Sequence, residues 1–189
     1  MNHYICSHDT CILPKNVDVP IELYKSLQGE YFIGYADNLS FGNNTSAWAR
    51  LYNPCCSRVN LYVNVWTVTD ISEAPYRAQF WFNATPPGTP MDSHFVTPSN
   101  TAITPLPKPK IKLQYASNVE GEPYGGIKAF VRRAQPETTL VETENGKLIF
   151  PPGGSLLIFL STPEAPTTSA SGRIAFGWWE ESIYDTCIV

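Results

Sequence analysis

Five cysteines carry most of the chemistry open to this chain: Cys6, Cys11, Cys55, Cys56 and Cys187. An odd number cannot pair fully within one chain, so one thiol stays free or bonds another molecule. Cys6 and Cys11 lie in an aperiodic N-terminal stretch, and Cys187 lies near the C-terminus. Cys55 and Cys56 adjoin directly after Asn53-Pro54, a turn signal that puts them at a strand end near the surface. Tail thiols and a surface pair suit intermolecular disulfides: the arm reaches a neighbour, and Cys6 and Cys11 bond that neighbour's Cys55 and Cys56. The five-residue spacing spans at most ~17 Å when extended, enough to visit two adjacent thiols. Cys187 then closes a further bond or pairs within its own subunit. Two other readings stay open. One is five reduced thiols, with Cys55 and Cys56 filling space. The other is a metal site, since His3, Cys6, His8 and Cys11 fall within nine residues, although the knuckle spacing of structural zinc is missing. A bond between Cys55 and Cys56 themselves would be strained.

The remaining reactive residues form no catalytic set. Asp92, Ser93 and His94 are neighbours in sequence, whereas a triad converges from distant positions; they read as a polar loop. Gly-x-Ser-x-Gly and phosphate-binding glycine loops are absent. Glu180-Glu181 follows Trp178-Trp179 and suggests a sugar-cleaving or sugar-binding cleft. Neighbours on a strand point to opposite faces, however, so the pair reads as the exposed end of the last strand. Lys108, Lys110 and Lys112, with Arg132 and Arg133, read as solvated edge-strand charge. No catalytic residue, metal or cofactor is expected, and the chain does not read as an enzyme.

The elements that must position these residues are strands. Period-two alternation is clearest in Val59–Thr69, with Val59, Leu61, Val63 and Val65 on one face and Asn60, Tyr62, Asn64 and Trp66 on the other. Further strands are expected at 31–35, 47–52, 77–84, 111–116, 127–132, 138–143, 148–150, 155–160 and 173–179. The run Ser155–Leu160 is continuously apolar and so buried on both faces. Asn145-Gly146 predicts a hairpin turn. The Pro-rich stretch 85–109 predicts a long loop or short edge pieces. A helical turn is expected over Pro20–Leu27, with Asp18 as its N-cap. The sequons at Asn38, Asn43, Asn44 and Asn83 read as turn residues. The whole predicts an all-β, two-layer antiparallel sandwich of jelly-roll type. Residues 1–17 form a flexible connector arm, 18–181 the sandwich, and 182–189 a tail.

Composition narrows the partners. Charged residues make up 16% of the chain, below the ~25% of soluble domains, and the hydrophobic fraction is 43%; disorder is excluded. A net charge of −4 disfavours nucleic acid. The longest apolar run, Leu156–Leu160, is far short of a membrane helix. The first residues show no basic region followed by an apolar core, so the chain is expected to be made in the cytoplasm and either to stay there, to be released by lysis, or to assemble at a surface without the general export route.

Several phrases carry a resemblance. They are Ser26-Leu27-Gln28-Gly29-Glu30-Tyr31-Phe32-Ile33-Gly34, Ala47-Trp48-Ala49-Arg50-Leu51-Tyr52-Asn53-Pro54-Cys55, Trp81 to Gly88, Phe150 to Ser155, and Ala175 to Glu180. They resemble an uncharacterised family of small β-proteins from spore-forming Firmicutes, over roughly residues 20–181. In design, a Cys-bearing arm before a jelly roll is similar to the subunits of bacterial endospore appendages. That likeness implies fibres in which arms reach earlier subunits and form disulfides, with Cys6 and Cys11 as arm thiols and Cys55 or Cys56 as acceptors. Cys187 is not part of that pattern. The expected function is therefore a self-assembling structural subunit of an extracellular fibre or spore-surface appendage, whose partners are copies of itself arranged head to tail. The alternative is a carbohydrate- or surface-binding module using Trp48, Trp66, Trp81 or Trp178.

Overall fold

The computed structural model describes residues 18–183. They form one helix, α1 (Ile21–Leu27), and eleven strands: β1 (Tyr31–Phe41), β2 (Ser46–Tyr52), β3 (Val59–Asp70), β4 (Tyr76–Phe82), β5 (Met91–Asp92), β6 (Val96–Pro98), β7 (Lys112–Val119), β8 (Ile127–Ala134), β9 (Thr139–Phe150), β10 (Ser155–Ser161) and β11 (Ala170–Ser182). The expected arm over 1–17 and most of the expected tail lie outside the described residues. β11 continues one residue past the expected domain end at 181.

Two antiparallel sheets pack face to face, in the orders β6-β1-β11-β3-β9 and β5-β7-β2-β10-β4-β8. Without β5, β6 and β7, each sheet has four strands, and every step along the chain except β4 to β8 changes sheet. That is the jelly-roll winding. The Pro-rich segment supplies the short β5 and β6, each at a sheet edge, where Pro98 removes no interior ladder bond.

The core follows from the alternation. Leu61, Val63, Trp66, Ile174, Phe176 and Trp178 face Leu51, Phe80, Leu156, Ile158 and Leu160. β10 breaks the alternation because both its faces are covered, as expected. Leu157 and Phe159 point outward into a second cluster with Trp48, Ala84, Ala116 and Val119. The loop after β4 lies over that cluster, and Trp48 Nε1 donates to the Pro87 carbonyl at 2.8 Å.

Several expectations need correction. β3 carries an extra residue, Asn64, between its pairings with β11 and with β9. The phase flips there, so Trp66 and Val68 point inward and Val65 outward. Asn145-Gly146 does not reverse the chain: β9 runs through it, and both residues take positive φ in an irregularity opposite Asn64. Pro20, not Asp18, is the N-cap of α1, without a side-chain capping bond. Trp48, Trp66 and Trp178 are fully buried, so they offer no platform to a ligand. The turn reading holds for Asn43, Asn44 and Asn83, which sit in turns or bends with left-handed φ; Asn38 takes left-handed φ too, but inside β1, at a bulge against β11.

Candidate functional site

The turn between β2 and β3 presents the only cysteines among the described residues. It is tied down by Asn53, which is buried where β2 ends. Asn53 Nδ2 donates to the carbonyls of Val59 at 2.8 Å and Phe150 at 3.0 Å. Its backbone exchanges bonds with Gly153 and Gly154. Ser57 N–H closes the turn on the Pro54 carbonyl at 3.0 Å, and Arg58 takes a positive φ. Cys55 and Cys56 at the tip are exposed, free thiols that are not bonded to one another. Cys55 Sγ lies 4.0 Å from the Tyr52 hydroxyl. This is the surface turn expected of acceptors, on a rigid base. Cys6, Cys11 and Cys187 lie outside the described residues, as do His3 and His8 of the metal reading.

The other sequence candidates separate. Asp92 takes Lys112 Nζ at 3.0 Å and Gln114 Nε2 at 2.7 Å, and those bonds hold its carboxyl below the usual range. Ser93 Oγ donates to the Tyr35 carbonyl at 2.8 Å. His94 lines a groove and hydrogen-bonds neither Asp92 nor Ser93, so Asp92, Ser93 and His94 form no triad. Glu180 and Glu181 do point to opposite faces, but Glu180 is buried rather than exposed. Its carboxylate accepts the backbone N–H groups of Lys110 and Ile111, at 2.9–3.0 Å, and so pins the approach to β7. Burial raises its pKa, and the backbone donors only partly oppose that. Arg132 and Arg133 stand exposed on β8, an edge strand, as edge charge should.

Two apolar features of the surface were not legible in advance. The first is a groove of about 460 Å³ on the outer face of the five-stranded sheet. Its floor is Gly177 and Ala175 of β11, small residues that leave depth. Ile33 and Tyr35 of β1 stand on one side, Val65 and Thr67 of β3 on the other. Phe95 stacks on Tyr35 at 4.8 Å, with the rings 11° from parallel. The groove ends at the polar row of Arg173, ion-paired to Asp37 at 2.7 Å. The second feature is α1, which is inside out. Lys25 faces the body at 6% exposure, while Leu23 and Leu27 are 51% and 58% exposed. At 3.6 residues per turn, Leu23 and Leu27 fall opposite Lys25. Tyr24, also exposed, flanks Leu27, whereas Ile21, exposed too, lies one turn before Lys25, at the edge of the apolar arc. Lys25 Nζ is held by Glu181 at 2.7 Å and Glu30 at 3.0 Å. Burial alone would lower its pKa, but the two carboxylates outweigh burial and raise it.

The groove was hidden from sequence reasoning because the bulge at Asn64 turns Val65 outward and because Phe95 sits among prolines. The helix left no signal either: at about 100° per residue Ile21, Leu23, Tyr24 and Leu27 fall in one arc and Glu22, Lys25 and Ser26 in the other, an ordinary amphipathic pattern that does not say which side faces out.

Comparison with known proteins places the chain in one family. A family model matches residues 2–185, and the chain belongs to that family, DUF6143, a family of unknown function. No curated protein and no solved structure matches it.

Proposed function

We propose that this member of DUF6143 is a structural subunit that assembles head to tail with its own copies into a fibre or spore-surface appendage locked by intermolecular disulfides. One observation carries the reading: two adjacent, exposed thiols on a turn whose base is fixed by seven hydrogen bonds to or from Asn53 and Ser57. An acceptor that must meet an incoming arm gains from rigidity, because less entropy is lost on joining. Cys6 and Cys11 are the arm thiols on this reading, and Cys187 is a further cross-linking thiol. The groove and the inverted helix add apolar surface that no other element covers among the described residues.

The carbohydrate-binding alternative loses most of its tryptophans, although Phe95 and Tyr124 stay exposed. Of its four tryptophans, three are buried, and Trp81 is half-buried with Lys128 Nζ 4.9 Å from its ring centre.

Oxidised, purified protein should run without reductant as a ladder of oligomers that collapses with reductant, and electron microscopy should show filaments. A single monomer band under both conditions contradicts the reading.

A further inference from the structure

We propose that α1 of one copy seats in the outer-face groove of the next copy, supplying the non-covalent contact that precedes cross-linking. The inference rests on the self-assembly reading above. It starts from two exposed apolar features on one molecule, one convex and one concave, neither covered by another element among the described residues. Burying a leucine is worth roughly 1.5–3 kcal/mol, so a helix that turns Leu23 and Leu27 to water forgoes stability that a neighbour can recover. The groove is large enough to take such side chains and is walled by Ile33, Val65 and the Tyr35–Phe95 stack.

The helix cannot fill its own groove. Lys25 holds it to Glu181 and Glu30, and Ser26 Oγ accepts from Ser99 Oγ at 2.8 Å. Glu181 and the groove floor lie on the same face of β11, but four residues separate Glu181 from Gly177 and six from Ala175, about 13 and 20 Å of strand. Trp179, stacked on Tyr62 at 5.4 Å, stands between them. The helix that fits this groove is then that of a second copy. Two different surfaces meet in this contact, so it repeats without using itself up, the condition for an open chain of subunits.

The chain that leads into α1 then arrives at the neighbour. Cys11 lies ten residues before Ile21, a reach of up to about 35 Å. The acceptor turn lies beyond Val59, six residues or about 20 Å along β3 from Val65 in the groove wall. A seated helix thus brings the arm thiols within range of Cys55 and Cys56.

The test uses the full chain with reductant present, so that only non-covalent contacts hold. Sedimentation velocity follows wild type, the helix variant Leu23→Glu/Leu27→Glu, and the groove variant Ala175→Glu. Thr67→Glu on the groove wall replaces Ala175→Glu if the latter melts below wild type. Wild type should grow beyond dimers. Each variant alone should associate about a hundredfold more weakly or worse, since each buries unpaired carboxylates in an apolar contact. An equimolar mixture should form a heterodimer that does not grow, because one partner keeps a working helix and the other a working groove. The proposal is overturned by a monomeric wild type, by a variant that associates like wild type, by a mixture without heterodimer, or by a wild type that stops at a dimer. Gels without reductant separate the two claims. If the wild-type ladder persists undiminished in both variants, the helix contact fails and the disulfide reading stands. If wild type associates but forms no ladder, the reverse holds.

Discussion

Asn64 stands where β3 carries one residue more than β11, and its amide donates to the Tyr31 hydroxyl at 2.8 Å. Opposite it, β9 loops outward through Glu144 to Lys147, and Glu144 accepts the Trp66 indole N–H at 3.0 Å. One irregularity thus turns Trp66 into the core and Val65 into the groove. Period-two alternation made the strand legible, but nothing in its residue types marks where the count slips. Asn145-Gly146 was legible as a pair that takes positive φ, though not as a bulge, because the difference lies in the partner strand. Gly146 has φ +72, and a Cβ there would stand 2.1 Å from the Trp179 ring. Gly146→Ala should therefore cost about 2–4 kcal/mol, from backbone strain and overpacking together. Urea denaturation measures it, and a loss under 0.5 kcal/mol contradicts the packing described. Asp70 offers a second test. It is buried, Ser72 donates to it through both N–H and hydroxyl, and its Oδ2 has no hydrogen-bond partner. Burial raises its pKa, with Ser72 opposing. A carboxyl whose folded pKa is raised binds more protons folded than unfolded, so its contribution falls as pH rises from the ordinary carboxylate value through the raised one. The lowered carboxyls of Asp37, Glu164 and Glu181 act in the opposite sense, losing stability as pH falls. Asp70→Asn should gain stability relative to wild type as pH rises from about 4 to about 7. Melting curves across that range check it, and a constant difference between the two proteins contradicts it.

Among the elements, α1 depends most on charge. Its docking side is one lysine between two carboxylates, and those carboxylates are 40% and 45% exposed. They rehydrate when Lys25 is removed, so solvent screening keeps the cost small. Lys25→Ala should lower stability by about 1–2 kcal/mol. It should also make residues 18–29 the first site of limited proteolysis, with the β-strands still resistant. An unchanged digestion pattern would show that other contacts hold the helix. The sequence displayed Lys25 and Glu30 close together, but Glu181 is brought in only by the fold. The strands were more legible than the helix because alternation records burial directly, and Ser155–Leu160 announced its two buried faces by losing alternation. The free edges of the sheets are β8 and β9 on one side. On β8, Lys128, Arg132 and Arg133 are exposed and discourage edge pairing, which leaves the face of the five-stranded sheet as the more open apolar surface.

For the whole molecule, the jelly-roll body acts as a rigid frame with three separate points on its surface: the inverted helix, the groove and the thiol turn. The all-β sandwich was legible from alternation and from the even spread of Pro and Gly. The exposure of Cys55 and Cys56 was legible from Asn53-Pro54, because the turn that ends β2 also lifts them clear of the core. The groove was not legible, since it is made by four strands distant in sequence. Covalent assembly through Cys55 and Cys56 is the central claim, and replacing both by Ser tests it most directly. Melting temperature and oligomer content without reductant are measured on the same oxidised sample. Both thiols are exposed, so the account predicts a monomer melt within about 0.5 kcal/mol of wild type, together with loss of the ladder or its reduction to what Cys187 supports. A large drop in melting temperature with the ladder intact would contradict it.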